Sequence, residues 1–595
     1  MAIILEKNGI KHIYCFKNPI MTSLPIIPNF TGICYIRDNV PKSNYDLHRY
    51  QYAKTSNPIA QLEPALIAYA DSEQDIIAVV EYAYEHKIAI AVRTGGHQYS
   101  GFSSTSGDNI LLDVSGTFFK PEDFSYDAIN NLVTVGISYD LEKFNTALSA
   151  LNLFLPHGVC KDVHLGGHVQ TGGFGMLIRS FGILADYVVS FDIITAPNSI
   201  NSSVQKITVT KTSNPDLFAA VLGGGPGNYG VLTHVTFSPL KDSDYPHSCG
   251  MYAITPYDKT LLNKLITIAT NCHNDPNLSG DYDIMINVVS GQNKFELLDT
   301  TYDDYMRVFH PHIYGKDQIP AFELLFNVIQ VTVQYAGRHN PFQPYDPSLF
   351  QSIRDIMPFL TIYKLSDKSH TCMSLLCKQW VFMNVREYDM PFIKRNYLCD
   401  RNLDVTNFPA WLANRVDTAI HSDPKNLKLV MQFVVNGGNN SKFVTNTNNG
   451  TTFDWRVPYP TTSSSTPSST LSSSTPSSIT TNINTNIPST NGNISCGLIF
   501  DTFYRYNPAL ATTIQKTNDV ETLIMGFNDH RFVWCTFEQI AADYNMADAW
   551  PHYYRPTTYA KLQQVKTMID PNGVFSPNTF SIPILPPVSH STSSS

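Results

Sequence analysis

The sequence predicts an α+β protein of at least two domains, on three observations. Strand-like and helix-like runs alternate through residues 64–240 around glycine-dense loops. From about Pro239 the pattern shifts to longer mixed segments, with aromatics such as Tyr252, Tyr335, Trp380 and Tyr388 spread through them. With 595 residues, 43% hydrophobic and 15% charged, the chain is long enough to bury more than one core.

From Pro64 the chain reads as an approach strand, a helix capped near Asp71 or Ser72, a β run from Ile88 to Val92 and a glycine turn, which is a β-α-β unit ending on a loop. Strand patterns follow at Asn109 to Val114 and Asn131 to Gly136, then an amphipathic helix near Leu141 to Leu151. Beyond a glycine-dense stretch come strands at Tyr187 to Thr195 and Val204 to Thr210, a helix at Asn214 to Leu222 and a strand at Val231 to Phe237. The run from Asn439 to Ser495 is so rich in Ser, Thr and Asn that it lacks the apolar surface to offset the entropy of ordering, and a disordered insertion is expected there. A last helix from about Thr558 to Ile569 stops at an Asp-Pro-Asn-Gly turn. The expected organisation is a leader over residues 1–50, a first domain over 51–240, a second domain over 241–542, a return to the first domain over 543–583 and a disordered tail over 584–595.

Composition excludes several classes. A net charge of −9 with no Lys/Arg-rich run gives nucleic acid no electrostatic footing. Glu6 and Lys7 interrupt the start before any signal-peptide core forms, and no apolar run reaches membrane-spanning length. The ten cysteines show no CxxC pair and no zinc spacing, so they leave the compartment open. Sequons at Asn29, Asn201, Asn277, Asn449 and Asn493 are compatible with secretion, although a chain this rich in Asn, Ser and Thr produces them by chance.

Three glycine-bearing constellations carry the chemistry. Arg93-Thr94-Gly95-Gly96-His97, running on through Ser100 to Gly101, follows a strand directly, and its glycines allow successive N–H groups to turn toward an anion such as a pyrophosphate. The second spans Gly158 to Gly175 and continues to Gly182 and Asp186, with Cys160, Val163, His164, Gly166, Gly167, His168, Gly172 and Gly173 inside it. His164 and His168 have metal-helix spacing, but the intervening Gly166-Gly167 argues against a helix, and no metal is expected. The third, Gly223 to Gly230, contains a literal G-x-G-x-x-G, yet a helix precedes it and a strand follows, the reverse of a Rossmann unit.

In order and spacing, RTGGHQYSG, HGVCKDVHLGGHVQTGGFG, LFAAVLGGGPGNYGVLT and YYRPTTYAKLQQVKTMIDPNGVFSPNTFSIP resemble the berberine bridge enzyme-like family of FAD-linked oxidases, within the vanillyl-alcohol oxidase/p-cresol methylhydroxylase flavoproteins. The resemblance runs from about Pro58 to Leu240 and through the C-terminal return. It implies an FAD-binding domain of two α+β subdomains, and a substrate domain whose large antiparallel sheet, flanked by helices, roofs the flavin ring. It also implies bicovalent FAD, with His97 on the 8α carbon and Cys160 on C6. The implied cofactor contacts are Arg93, Thr94, Gly95, Gly96, His97, Ser100, Gly158, Cys160, Val163, Gly166, Gly167, His168, Gly172, Gly173, Gly175, Gly182, Asp186, Gly230, Val231 and Tyr553.

By the same resemblance, Val163 sits where a valine accompanies oxidases, so O2 is the expected acceptor and hydrogen peroxide the second product. Tyr544 is the expected base and Glu538 the alternative. A tyrosine base needs a cationic or hydrogen-bonded neighbour to lower its pKa from about 10, and Arg386, Lys394 and Arg395 are the candidates. Nearest in type are hexose and oligosaccharide oxidases, so the expected reaction oxidises an alcohol, of a carbohydrate by preference, by hydride transfer to flavin N5. Two other readings stay open: an oxidase or dehydrogenase of aromatic or alkaloid-like alcohols, and a catalytically weak flavin-binding structural protein. Oligomeric state is left open.

Overall fold

The computed structural model describes residues 2–7, 10–15, 27–38, 41–49, 62–98, 101–198, 200–275, 278–292, 326–337, 348–359, 361–366, 372–380, 391–399, 403–438, 440–446, 450–456, 496–505, 508–527, 546 and 550–586. The fold is α+β and is built on three principal sheets.

The first sheet has four strands in the order Ile33–Ile36, Pro64–Tyr69, Gly107–Asp113, Ile90–Arg93. Its last three strands run parallel, and the helix Glu73–His86 provides the crossover between the first two of these in sequence. That helix starts at Ser72, whose side chain accepts from the Asp75 N–H while Asp75 reaches back to the Ser72 N–H, a reciprocal capping box. Ile76, Val79, Val80 and Ala83 then form its buried stripe.

Within the expected leader over 1–50, Ile33–Ile36 is a strand of this sheet. Ile33–Ile36 pairs antiparallel with the strand Pro64–Tyr69, matching Ile33 with Tyr69, Cys34 with Ala68, Tyr35 with Ile67 and Ile36 with Leu66. The Tyr45 hydroxyl of the helix Lys42–Arg49 donates to the Pro64 carbonyl at 2.5 Å. A four-residue strand with a mostly half-buried face leaves too short a pattern to read from sequence.

The second sheet is antiparallel throughout, in the order Gln205–Thr210, Val188–Thr195, Val231–Phe237, Leu132–Gly136, Phe124–Asp127. The third has seven antiparallel strands, Ile362–Ser366, Cys249–Pro256, Phe326–Tyr335, Tyr282–Gln292, Leu427–Val435, Cys496–Tyr504 and Phe392–Cys399 in spatial order. Both of its faces are buried, so its strands read as near-continuous apolar runs. Leu429, Met431 and Phe433 pack with the helices Lys259–Asn274 and Phe408–Ser422, whereas Val430 and Val434 join the core shared with the first two sheets.

Arg179 ties the two halves together. It is 1% exposed, and its guanidinium donates to the carbonyls of Gly437, Tyr282, Leu278 and Ser279. Beside it, Asp283 accepts from the backbone N–H groups of Arg179 and Ser180 and from the Ser180 hydroxyl.

The expected insertion over 439–495 begins with ordered chain. Residues 440–446 and 450–456 pack against the first half: Phe443 and Phe453 are buried, the Thr452 N–H donates to the Leu222 carbonyl, and Arg456 pairs with Asp186. Composition averaged over the whole run hides these few anchoring residues; residues 457–495 lie outside the described residues. The C-terminal helix Pro556–Ile569 returns to the first half, where buried Lys566 donates to the carbonyls of Asn228 (2.6 Å) and Phe575 (2.9 Å) and to Asp570 (2.7 Å).

Candidate active site

The three glycine constellations converge on one cleft. The loop after the strand Ile90–Arg93 contributes Thr94, Gly95, Gly96 and His97, and Gly96 has φ +66°, a left-handed conformation that glycine adopts without strain. The second constellation contributes Gly158, Cys160, Val163, His164, Gly166, Gly167 and His168, and the third Pro226, Gly227 and Gly230. The seven-stranded sheet supplies the opposite wall through Lys394, Asn396, Val430, Gln432, Ile499 and Asp501. The space between them has a cavity volume of about 200 Å³ and is open at its mouth.

The stretch around Gly166-Gly167 is helical, contrary to expectation. Leu165–Gln170 forms a short helix with His164 at its N-cap, and the glycine penalty is offset by close packing. A Cβ on Gly166 would lie 2.8 Å from Thr94 Cγ2, so only glycine lets this helix approach the neighbouring loop. Gln170 then joins two constellations, donating to the Gly166 carbonyl (2.7 Å) and accepting from the Gly227 N–H (3.1 Å).

His168 accepts a hydrogen bond from the Gly158 N–H at 2.9 Å, and its pKa is pushed down to about 3, first by burial and then by neighbouring His157. His157 is pushed down to about 4 by burial, against the opposing effect of its 2.7 Å contact with the Gly158 carbonyl. Burial also lowers His164, whose Nδ1 is buried without a hydrogen-bond partner. These three imidazoles are therefore neutral near pH 7. Among the described residues, no group of His, Cys, Asp or Glu is arranged to hold a metal ion.

Eight residues expected to touch the cofactor do not line the cleft. Arg93 turns away into a buried pair with Asp113 (2.5 Å) and donates to the His48 carbonyl and the Tyr69 hydroxyl. Gly172, Gly173, Gly175 and Gly182 lie behind the wall. A Cβ on Gly175 would collide with the His157 carbonyl, one on Gly173 with Leu184 and one on Gly182 with Asp186. Asp186 is occupied by Arg456, Val231 starts a buried strand, and Tyr553 is 1% exposed in the core. These residues support the wall from behind. Ser100, Glu538, Tyr544 and Arg386 lie outside the described residues.

Of the candidate cations, Lys394 faces the cleft, and its Nζ lies 2.8 Å from Asp501 Oδ1. Arg395, next along the strand, points to the opposite face and pairs with Asp519 at 3.4 Å. Asp501 was not anticipated from sequence; the available signal was an acidic residue inside the otherwise apolar strand Cys496–Tyr504.

A flavin nucleotide fits this lining. Gly167 borders the cleft, and a Cβ built on it would meet nothing within 4 Å, so the protein's own packing does not require glycine there. A helical glycine costs about 1 kcal/mol relative to alanine. The bare Cα instead keeps that space available to a ligand.

Residues 64–200 match the family described as the FAD binding domain. The FAD-linked oxidoreductase pynB of Aspergillus niger is 32% identical over 169 residues, which cover 28% of this chain and 29% of that protein. Berberine bridge enzyme-like 19 of Arabidopsis thaliana is 31% identical over 206 residues, 33% of this chain and 34% of that protein. The chain thus covers about a third of the length of these relatives. Two solved structures share the fold over nearly the whole chain. Berberine bridge enzyme from Eschscholzia californica superposes with a TM-score of 0.62 at 17% identity, covering 94% of this chain and 97% of that one. Glucooligosaccharide oxidase from Acremonium strictum, described with a 6-S-cysteinyl, 8α-N1-histidyl FAD, superposes with a TM-score of 0.59 at 17% identity, covering 93% and 97%. Residues 64–200 are thus an FAD-binding domain, and the chain shares its fold with berberine bridge enzyme and glucooligosaccharide oxidase.

Proposed function

We propose that this flavoprotein is an oxidase that holds FAD covalently through His97 and Cys160 and oxidises an alcohol group of a small substrate, a carbohydrate by preference, with O2 as acceptor. The observation that carries the proposal is that His97 and Cys160, 63 positions apart in the chain, line one cleft whose opposite wall bears the ion pair Lys394–Asp501. The glucooligosaccharide oxidase with its doubly linked flavin supports the same reading.

FAD, when bound, supplies a hydride acceptor. The chain's own residues do the rest. The loop of Thr94, Gly95 and Gly96 offers backbone N–H groups to the cofactor's phosphates, and neutral His168 braces Gly158 beside Cys160. Two tethers suit a cleft that is open at its mouth, because they retain the cofactor while substrates exchange. Val163 lines the cleft with Cys160 and is the residue we assign to the admission of O2. The substrate hydroxyl proton passes to Tyr544, with Glu538 as the alternative, and Lys394 is the cation best suited to hold a phenolate there.

Acid precipitation tests the tethers. The intact protein is expected to yield a yellow pellet, His97→Ala and Cys160→Ala each to keep pigment in the pellet, and the double variant to release it. Complete release from the intact protein overturns covalent attachment. Peroxide formation in air across a panel of sugars and aryl alcohols tests the reaction, and a flavin that no alcohol bleaches anaerobically overturns it.

A further inference from the structure

The seven-stranded sheet ends on the strand Phe392–Cys399, whose neighbour in the sheet is Cys496–Tyr504. The two pair antiparallel from Phe392 opposite Phe503 to Cys399 opposite Cys496. Lys394, Asn396, Ile499 and Asp501, which line the cleft, all sit on this ladder. Side chains alternate along a strand, so a slip of one residue between the two strands would turn one pair of these residues out of the cleft. Register therefore matters here more than anywhere else in the sheet. Yet the chain leaves the first strand at residue 399 and returns only at 496, 97 positions later, so no tight turn sets the pairing.

The last rung of the ladder is a pair of cysteines. Directly opposite residues of an antiparallel pair have Cα atoms about 4.5 or 5.5 Å apart, according to the kind of rung, and both spacings fall within the roughly 4.4–6.8 Å that a disulfide spans. Opposed residues also project to the same face. Cys399 and Cys496 are each 0% exposed and belong to one apolar core with Phe433, Val435 and Phe527. Val435 lies opposite Cys496 on its other side, and Phe527 bridges to Cys399, so the rung is enclosed from both flanks. Cys399 Sγ donates to the Gly526 carbonyl at 3.2 Å, a contact that closing an S–S bond exchanges for Cys496 Sγ.

We infer that Cys399 and Cys496 form a cross-strand disulfide that pins the register of the cleft wall. The bond forms by exchange with an organic disulfide such as oxidised glutathione. Each cysteine thiol gives up its proton, one S–S bond forms in the protein as one breaks in the donor, and the donor leaves as two thiols carrying both protons and both electrons. Because the folded core excludes solvent from both residues, exchange takes place while this end of the sheet is still open, and the finished bond is shielded from reductants. A crosslink across a loop this long restricts the unfolded chain far more than one across a short turn. The inference is independent of how the flavin is attached and of what the cleft oxidises.

The test compares the full-length, FAD-loaded protein made in an oxidising secretory compartment with the same protein made in a reducing cytosol. Each is unfolded in iodoacetamide, which caps thiols, and digested without reductant. Mass spectrometry should find Cys399 and Cys496 in one linked pair of peptides from the first preparation, and both capped in the second. The gap in melting temperature between the unmodified protein and Cys399→Ala/Cys496→Ala should be wider by about 4 °C in the oxidising preparation than in the reducing one. Capping of both cysteines in the oxidising preparation, or linkage of either to a different cysteine, overturns the inference. So does a gap that differs by less than about 1 °C between the two preparations. If the alanine variant fails to fold, the linked peptides of the unmodified protein decide the question alone.

Discussion

Arg456 and Asp186 lie 270 residues apart in the chain and meet as a buried bidentate pair, with Nη1–Oδ1 at 2.5 Å and Nη2–Oδ2 at 3.0 Å. Both side chains are nearly inaccessible, at 1% and 3% exposure. The guanidinium also donates to the Phe443 carbonyl at 3.0 Å, so one residue fastens the segment 440–446 to the turn at Asp186. Removing one partner strands a buried charge. Arg456→Met is expected to lower the unfolding free energy by about 3–5 kcal/mol, and adding Asp186→Leu to restore most of it. Urea denaturation measures both, and equal losses in the single and double variants contradict this account.

Two glycines in the same constellation should respond in opposite ways. Gly167→Ala puts a methyl group into open cleft space and removes a helical glycine, so the fold is expected to stay intact or gain up to about 1 kcal/mol while flavin content falls. Gly175→Ala drives a methyl group into the His157 carbonyl and is expected to destabilise the fold itself. Flavin absorbance per protein and the melting temperature, measured together, separate the two. A Gly167→Ala protein with full flavin content would falsify the cradle.

Stability against pH carries two opposing contributions. His157 and His168, held down to about 4 and about 3 mainly by burial, stay neutral in the folded protein, whereas in the unfolded chain they bind protons below about 6.5. Their contribution is complete above pH 6.5 and is lost as pH falls toward 4. Asp283, pushed up to about 7 by burial, works the other way. It keeps its proton between about 4 and 7 when folded but not when unfolded, so its contribution declines as pH rises through that window. Asp283→Asn mimics the protonated carboxyl, accepting from the N–H groups of Arg179 and Ser180 and donating to the Ser180 hydroxyl. The variant's unfolding free energy should therefore climb more steeply between pH 4 and 6.5, by about 1.4 kcal/mol per pH unit for the proton no longer opposed. Parallel profiles for variant and parent count against a protonated Asp283.

The glycine constellations were legible because each combines residues that no packed helix or sheet asks for, and the strand and helix periods between them were long enough to read. What escaped the sequence depends on tertiary context. Propensity rejected a helix through Gly166-Gly167, but Thr94 packs so closely on Gly166 that glycine is what allows the helix to form there. Motif membership gave Arg93, Asp186 and Tyr553 a cofactor role, yet clustering in sequence does not say which way a side chain points, and all three point into the protein. Lys394 could not be told from Arg395 until strand register fixed which residue faces the cleft. Asp501 offered only its isolation in an apolar strand.

Lys566 makes the cleft wall depend on residues synthesised long after it. Its ammonium holds the Asn228 carbonyl, and the Ile582 N–H donates to the Asn228 side chain, next to Pro226, Gly227 and Gly230 on the wall. A growing chain has therefore made His97 and Cys160 about four hundred residues before it can brace the wall beside them. Chains truncated before Lys566 are accordingly expected to retain no flavin, which absorbance of the purified fragments measures.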